Sequence, residues 1–109
     1  MIRAGGNPTL RGNRIHDGKQ SGVFVYENGQ GLLEDNDIFA NAYNGVTIMT
    51  GGNPTLRSNR VHKNGYSAIR IYENGSGVIE DNDLRDNMRG AWDVARECLS
   101  NVKRSGNIE

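Results

Sequence analysis

The sequence predicts an all-β fold, a right-handed, single-stranded parallel β-helix, on three observations. The first is an internal repeat. Gly5-Gly6-Asn7-Pro8-Thr9-Leu10-Arg11 returns 46 residues later as Gly51-Gly52-Asn53-Pro54-Thr55-Leu56-Arg57. Tyr26-Glu27-Asn28-Gly29 and Glu34-Asp35-Asn36-Asp37 return at the same offset, as Tyr72-Glu73-Asn74-Gly75 and Glu80-Asp81-Asn82-Asp83. A fixed period means a stack of like units. The second observation is a weaker copy at half that distance, with apolar and Asn residues recurring every 23 positions. The third is alternation within each unit, Val23 and Val25, Val46 and Ile48, Ile69 and Ile71, with Phe24, Thr47 and Arg70 between them. Alternation of this kind puts one strand face inward and the other outward.

A repeat of 23 made of short strands and turns is one coil of a β-helix. A coil cannot bury its inner face alone, so it stacks on the next at about 4.8 Å. The 109 residues then make about 4.7 coils, a stack on the order of 23 Å long. Right-handed winding follows from the crossover rule for parallel strands. A leucine-rich repeat has a similar period, but it needs several Leu per unit and a helical return segment, and neither is present.

The elements follow in column order. Leu10, Leu33, Leu56, Ile79 and Val102 form the first inward column, and Ile15, Ile38, Val61 and Leu84 the second. Val23, Val46, Ile69 and Trp92, with Val25, Ile48, Ile71 and Val94, form the third strand. Asn13, Asn36, Asn59 and Asn82 make one corner column, and Gly18, Asn41, Asn64 and Asn87 another. Stacked Asn side chains at coil corners bond their own backbone and the next amide, a structural role. Fifteen Gly supply positive φ at corners. Residues 1–109 read as a single domain, with regular coils over 1–88. Asn107 arrives two positions late and Ser105 stands where an Asn is expected, so 89–109 reads as a degenerate cap, with Trp92 as a plug. At the other end Ile2 sits 46 before Ile48, so the chain opens in mid-strand, as a fragment would.

Charge alternates by coil. Arg11, Glu34, Arg57, Glu80 and Lys103 share one column, and Arg14, Asp37, Arg60 and Asp83 another. Opposite charges about 5 Å apart make a ladder, whereas identical coils would stack like charges. The alternation explains a true period of 46 and a formal net charge of zero. Zero net charge argues against nucleic acid or an anionic membrane as the main partner. No apolar run is long enough for a membrane span, and no signal peptide opens the chain, so the default compartment is cytoplasmic. Cys98 is the single Cys, which leaves no disulfide framework and no zinc ligand set.

The same ladder weakens the case for chemistry. Asp35 and Asp81 would lie about 10 Å apart, near the spacing of an inverting glycosidase, but Arg57 and Arg60 fall between them. A calcium loop fails, because Phe39 and Ala40 stand where a ligand and the turn Gly belong. His16 and His62 have Phe39 between them and no third ligand. No nucleophile–base pair, phosphate loop, metal site or cofactor site emerges. What stacking leaves unexplained is the outward face of the third strand: Phe24, Thr47, Arg70 and Asp93, beside Tyr26, Met49, Tyr72 and Ala95. Tyr, Met and Arg are enriched in recognition surfaces. Phe24, Tyr26, Met49, Arg70 and Tyr72 are therefore the candidate ligand-binding residues.

Residues 7–18 and 22–39 resemble the repeat consensus of right-handed β-helix proteins with carbohydrate-binding and sugar-hydrolase repeats. They look closest to the β-helical domain of F-box substrate receptors of ubiquitin ligases (F-box only protein eleven type) and bacterial relatives. The resemblance covers about residues 5 to 88. It implies a recognition platform for a protein or peptide; the chain carries neither an F-box nor a zinc-finger tail. Pectate lyases and polygalacturonases share the architecture, but their catalytic groupings have no match here, and fold alone transfers no activity. The reading is a non-catalytic protein- or peptide-binding module. The alternatives are a glycan binder or polysaccharide-cleaving protein using Asp35, Asp37, Asp81 and Asp83, and a purely structural repeat. The open N-terminal end would also admit a homodimer.

Overall fold

The computed structural model describes Ile2 and residues 5–109. Each of the first three coils contributes three short strands. Coil one holds β1 (Thr9–Arg11), β2 (Arg14–His16) and β3 (Val23–Val25). Coil two holds β4 (Leu32–Glu34), β5 (Asp37–Phe39) and β6 (Val46–Ile48). Coil three holds β7 (Thr55–Arg57), β8 (Arg60–His62) and β9 (Ile69–Ile71). Then come β10 (Gly77–Glu80), β11 (Trp92–Val94), a 3₁₀ turn over Arg96–Asn101, and β12 (Val102–Ser105). Like strands stack in parallel into three sheets, ordered β1-β4-β7-β10-β12, β2-β5-β8 and β3-β6-β9-β11. The fold is the right-handed β-helix that the repeat predicts, and it is about as long as it is wide, 27 × 26 × 26 Å.

The register is the predicted one over the first four coils. Leu10 pairs with Leu33, Leu33 with Leu56 and Leu56 with Ile79. Ile15 pairs with Ile38 and Ile38 with Val61; Val23 pairs with Val46, Val46 with Ile69 and Ile69 with Trp92. These columns form the core: Leu33, Leu56, Ile79, Ile38, Val61, Ile48 and Ile71 are all fully buried. At the lower end Leu10 and Ile15 are only half-buried, because no coil lies beneath them among the described residues. Ile2 bridges to Val25 and continues the third column downward.

The last coil departs from the predicted register. Glu80 pairs with Ser105, Ile79 with Arg104 and Gly77 with Val102. Val102 and Lys103 therefore leave the columns assigned to them. The Arg96–Asn101 turn absorbs the extra residues. Cys98 N–H still bonds Ala95 O, as Gly75 N–H bonds Tyr72 O one coil below, so the insertion follows Cys98. The Asn column then resumes, since Asn107 Oδ1 accepts from the Asn82 backbone N–H at 3.0 Å and its side-chain amide at 3.1 Å. The late Asn107 is thus a ladder member after a two-residue insertion. Arg104 takes the position over Ile79 and lays its guanidinium 4.9 Å from the Trp92 ring. With Ser105 above Glu80, the basic charge expected there is absent.

The corners differ from the glycine-based expectation. Gly12, Asp35, Ser58, Asp81 and Gly106 form one left-handed corner, with φ of 67°, 57°, 57°, 59° and 66°. Asp17, Ala40, Lys63 and Asp86 form a second, with φ between 56° and 63°. Glu27-Asn28, Thr50-Gly51 and Glu73-Asn74 form a third, two residues deep. Most of these residues are not Gly. The corners tolerate a side chain because it points into solvent, and Asn and Asp adopt this region more readily than most. Gly is required instead where the chain passes close over its neighbour. A Cβ at Gly45 would strike Val61 and lie 2.8 Å from Ala68 O.

Both Asn ladders form. Asn59 Oδ1 accepts from the Asn36 backbone N–H at 3.0 Å and from the Asn36 side-chain amide at 3.0 Å. The Asn59 amide donates to Leu33 O below at 2.8 Å and to Asn82 Oδ1 above at 2.9 Å. Asn41, Asn64 and Asn87 repeat the pattern at the next corner. The buried amides of Asn36, Asn41, Asn59, Asn64 and Asn82 are thereby paired within the protein, as buried polar groups require.

One charge ladder forms and the other does not. Arg11 Nε lies 2.9 Å from Glu34 Oε1; Arg57 reaches Glu34 Oε2 at 3.7 Å and Glu80 Oε1 at 2.9 Å. In the second column the aligned residues turn to other partners. Asp37 meets His62 Nε2 at 2.7 Å, Asp83 takes Arg85 at 2.9 Å, and the Arg14 guanidinium sits 5.5 Å from the Phe39 ring. A stack of flat rings competes for that face: His16 on Phe39 at 4.8 Å and Phe39 on His62 at 5.3 Å.

Candidate recognition face

The candidate site lies on the outer face of β3, β6, β9 and β11. Their inner residues are locked in the core, so the outer ones stand on a rigid sheet. Phe24, Arg70, Tyr26, Met49 and Tyr72 are all half-buried, on or just after these strands. The Arg70 guanidinium packs 4.4 Å from the Tyr72 ring centroid and its Nε lies 3.7 Å from Asp93. Tyr72 OH donates to Met49 Sδ at 3.0 Å. The cation–π contact and the sulfur contact hold these flexible side chains in place.

Two adjoining shallow grooves result, with Phe24 as the ridge between them. One, of about 260 Å³, is lined by Gln20, Phe24, Tyr26 and Met49. The other, of about 250 Å³, has Phe24, Arg70, Tyr72, Tyr43 and Tyr66 as walls, over Ser21, Asn44 and Thr47. The five predicted residues are thus brought together around one ridge. Thr47 is the exception in its column: expected outward, it is 3% exposed. Its Oγ1 lies 2.7 Å from Ser21 Oγ and accepts from the Asn44 side-chain amide at 3.3 Å. Asn44 in turn accepts from the Ser67 backbone N–H at 3.0 Å.

Ser21, Asn44 and Tyr66 were not singled out from the sequence. Tyr43 and Tyr66 are one coil apart, as are Asn44 and Ser67, so extending the column count to the corner would have found them. The two Tyr rings pack with centroids 5.1 Å apart, and Arg89 covers Tyr66 at 4.0 Å.

The acidic candidates sit elsewhere and are separately occupied. Asp35 and Asp81 are exposed corner residues in the left-handed conformation. Asp37 is engaged by His62. Asp83 has its pKa lowered to about 2, first by the Arg85 side-chain hydrogen bond, so it stays ionised near neutrality and holds no proton to donate. Among the described residues no three His, Cys, Asp or Glu side chains cluster as a metal site would need. Cys98 is a buried free thiol. No helix among the described residues is long and apolar enough to cross a membrane.

A family model for a right-handed β-helix region matches residues 1–107. The chain belongs to the right-handed β-helix family. No curated protein and no solved structure matches it significantly. The membership agrees with the three stacked parallel sheets and carries no named activity.

Proposed function

We propose that this β-helix is a non-catalytic recognition module that binds an extended polypeptide along the β3–β6–β9 face. The observation that carries the reading is the pair of grooves around Phe24, with Tyr26 and Met49 on one side and Arg70 and Tyr72 on the other. Aromatic and Met side chains offer apolar area, and Arg70 offers a charge to a ligand carboxylate. The sheet beneath is rigid, so little ordering entropy is lost on binding. The resemblance of residues 5–88 to the β-helical domains of F-box receptors points the same way.

The test is a displayed peptide library selected on the purified chain. Binders are expected to lose at least about tenfold in affinity on Phe24→Ala or Tyr72→Ala, as central aromatic contacts do. Selected peptides indifferent to Phe24→Ala, Tyr26→Ala and Tyr72→Ala together would place recognition on another face.

A second reading rests on the floor of the groove walled by Tyr43 and Tyr66. Hydroxyls and an amide from Ser21, Thr47 and Asn44 lie beneath Tyr43 and Tyr66. Aromatic walls over neutral polar groups also suit a saccharide. A glycan array decides between the readings: retention of a glycan that Tyr66→Ala abolishes, with no peptide selected, favours the saccharide.

A further inference from the structure

The polar floor of the groove walled by Tyr43 and Tyr66 has a fixed hydrogen-bond direction. The Ser67 backbone N–H donates to Asn44 Oδ1 at 3.0 Å, which sets the orientation of the Asn44 amide. Asn44 Nδ2 is then the donor to Thr47 Oγ1 at 3.3 Å. Thr47 is buried, and among the described residues the acceptor for its own hydroxyl proton is Ser21 Oγ, 2.7 Å away. A buried hydroxyl keeps its proton paired, so Thr47 donates and Ser21 accepts. The Ser21 proton is left with no acceptor among the described residues, and half-buried Ser21 lines the groove. The relay therefore runs one way, from a backbone N–H to the Ser21 hydroxyl, each bond polarising the next. Arg70 brings donors from the opposite wall. Its guanidinium is held against the Tyr72 ring at 4.4 Å, and its nearest approach to Asp93 is 3.7 Å through Nε, too long for a hydrogen bond. Both walls thus offer protons to one space of about 250 Å³ with aromatic rings between them.

We propose that this groove is a pocket for a side-chain carboxylate, a Glu or Asp of the bound polypeptide held between the Ser21 hydroxyl and the Arg70 guanidinium. The assignment rests on the reading of this face as a peptide-binding one and names the residue type it selects. An ionised carboxylate only accepts, so it satisfies donors on both walls at once. A Gln or Asn in its place would turn an amide N–H toward one of these donors, and a Lys ammonium would bring only protons. The penalty of a wrong side chain comes from leaving fixed donors unpaired, which makes the pocket selective. Across the Phe24 ridge, Tyr26 and Met49 take an apolar neighbour of the acidic residue.

The probes are two pools of nonapeptides, acetylated and amidated at their ends and random except for a central Glu in one pool and Gln in the other. Peptides that the full chain retains and that Phe24→Ala releases are remade with fluorescein in both Glu and Gln forms. Anisotropy should show the Glu form binding at least about tenfold more tightly, with the gap shrinking as salt rises. Ser21→Ala and Arg70→Gln should each bring the gap below about threefold, with far-UV circular dichroism unchanged. Ser21→Thr, which keeps the hydroxyl, should restore it. Phe24-dependent peptides that bind equally in both forms, or a gap indifferent to Ser21→Ala, overturn the carboxylate pocket and leave the peptide reading standing. No Phe24-dependent peptide in either pool overturns both. So does a uronate retained on a glycan array in a Ser21-dependent way with no peptide selected, which would assign these donors to an acidic saccharide.

Discussion

At the scale of single residues the fold rests on a few side chains that do what the backbone cannot. Asn59 is 2% exposed and satisfies groups in the coils above and below it. Asn59→Ala orphans the Asn36 N–H and removes the side-chain amide from Leu33 O, and the expected loss is about 2–4 kcal/mol by urea denaturation. Gly45→Ala should cost about 1–3 kcal/mol, because the added methyl meets Val61 and the Ala68 carbonyl with no room to shift. Ala40 presents the opposite case. It is exposed, at φ 56°, where Cβ crowds the carbonyl. Ala40→Gly should stabilise by about 0.5–1 kcal/mol, the relief of the left-handed strain exceeding the entropy that Gly adds to the unfolded chain. The Asp83–Arg85 pair sets an acid dependence. The folded pKa of Asp83 is depressed from 3.8 to about 2, so its contribution is fully present above pH 3.8 and lost as pH falls through about 2. Arg85→Gln should therefore lower Tm at neutral pH, and the gap to the wild type should narrow below pH 3.8 and close as pH falls through about 2.

At the scale of elements, the stacked columns decide which neighbour each strand takes. The Arg11–Glu34–Arg57–Glu80 ladder is real, and Arg57→Glu would place three carboxylates in line. The expected loss is about 1–2 kcal/mol, reduced in high salt, as thermal melts at two ionic strengths would show. The ladder was legible in the sequence because charge at a fixed outward position has one environment. Its companion was not. Asp37 aligns with Arg14 and Arg60, yet His62 takes it, because the His16–Phe39–His62 ring stack brings an imidazole nitrogen within 2.7 Å. Backbone alignment follows from the period; the choice among several reachable partners does not. Thr47 was placed outward by strand alternation and is outward on the strand, but the Ser21 and Asn44 corner closes over it. The five groove residues were legible as one outward patch. Their division by Phe24 and the hydroxyl floor depended on corner conformation, which no column count contains.

At the scale of the molecule, one register runs through four coils and then steps by two. The sequence revealed the step as a late Asn107, and the Arg96–Asn101 turn gives its physical cause: extra residues are wound into a 3₁₀ segment while the Asn ladder is kept. Preserving buried amide bonds outweighs preserving the repeat, since an orphaned Asn82 would cost more than a short insertion in an exposed turn. The fold thereby becomes a ladder of buried Asn and apolar columns to which loop length adapts. The most direct measurement is a NOESY spectrum of the isotopically labelled chain, read for contacts between stacked strands. The account predicts cross-strand contacts between residues 23 apart through the first four coils, Leu33 with Leu56 and Asn36 with Asn59 among them. It predicts contacts 25 apart at the top, between Glu80 and Ser105 and between Asn82 and Asn107. Contacts between Glu80 and Lys103 in their place, or no contacts between successive Asn residues of the column, would contradict it.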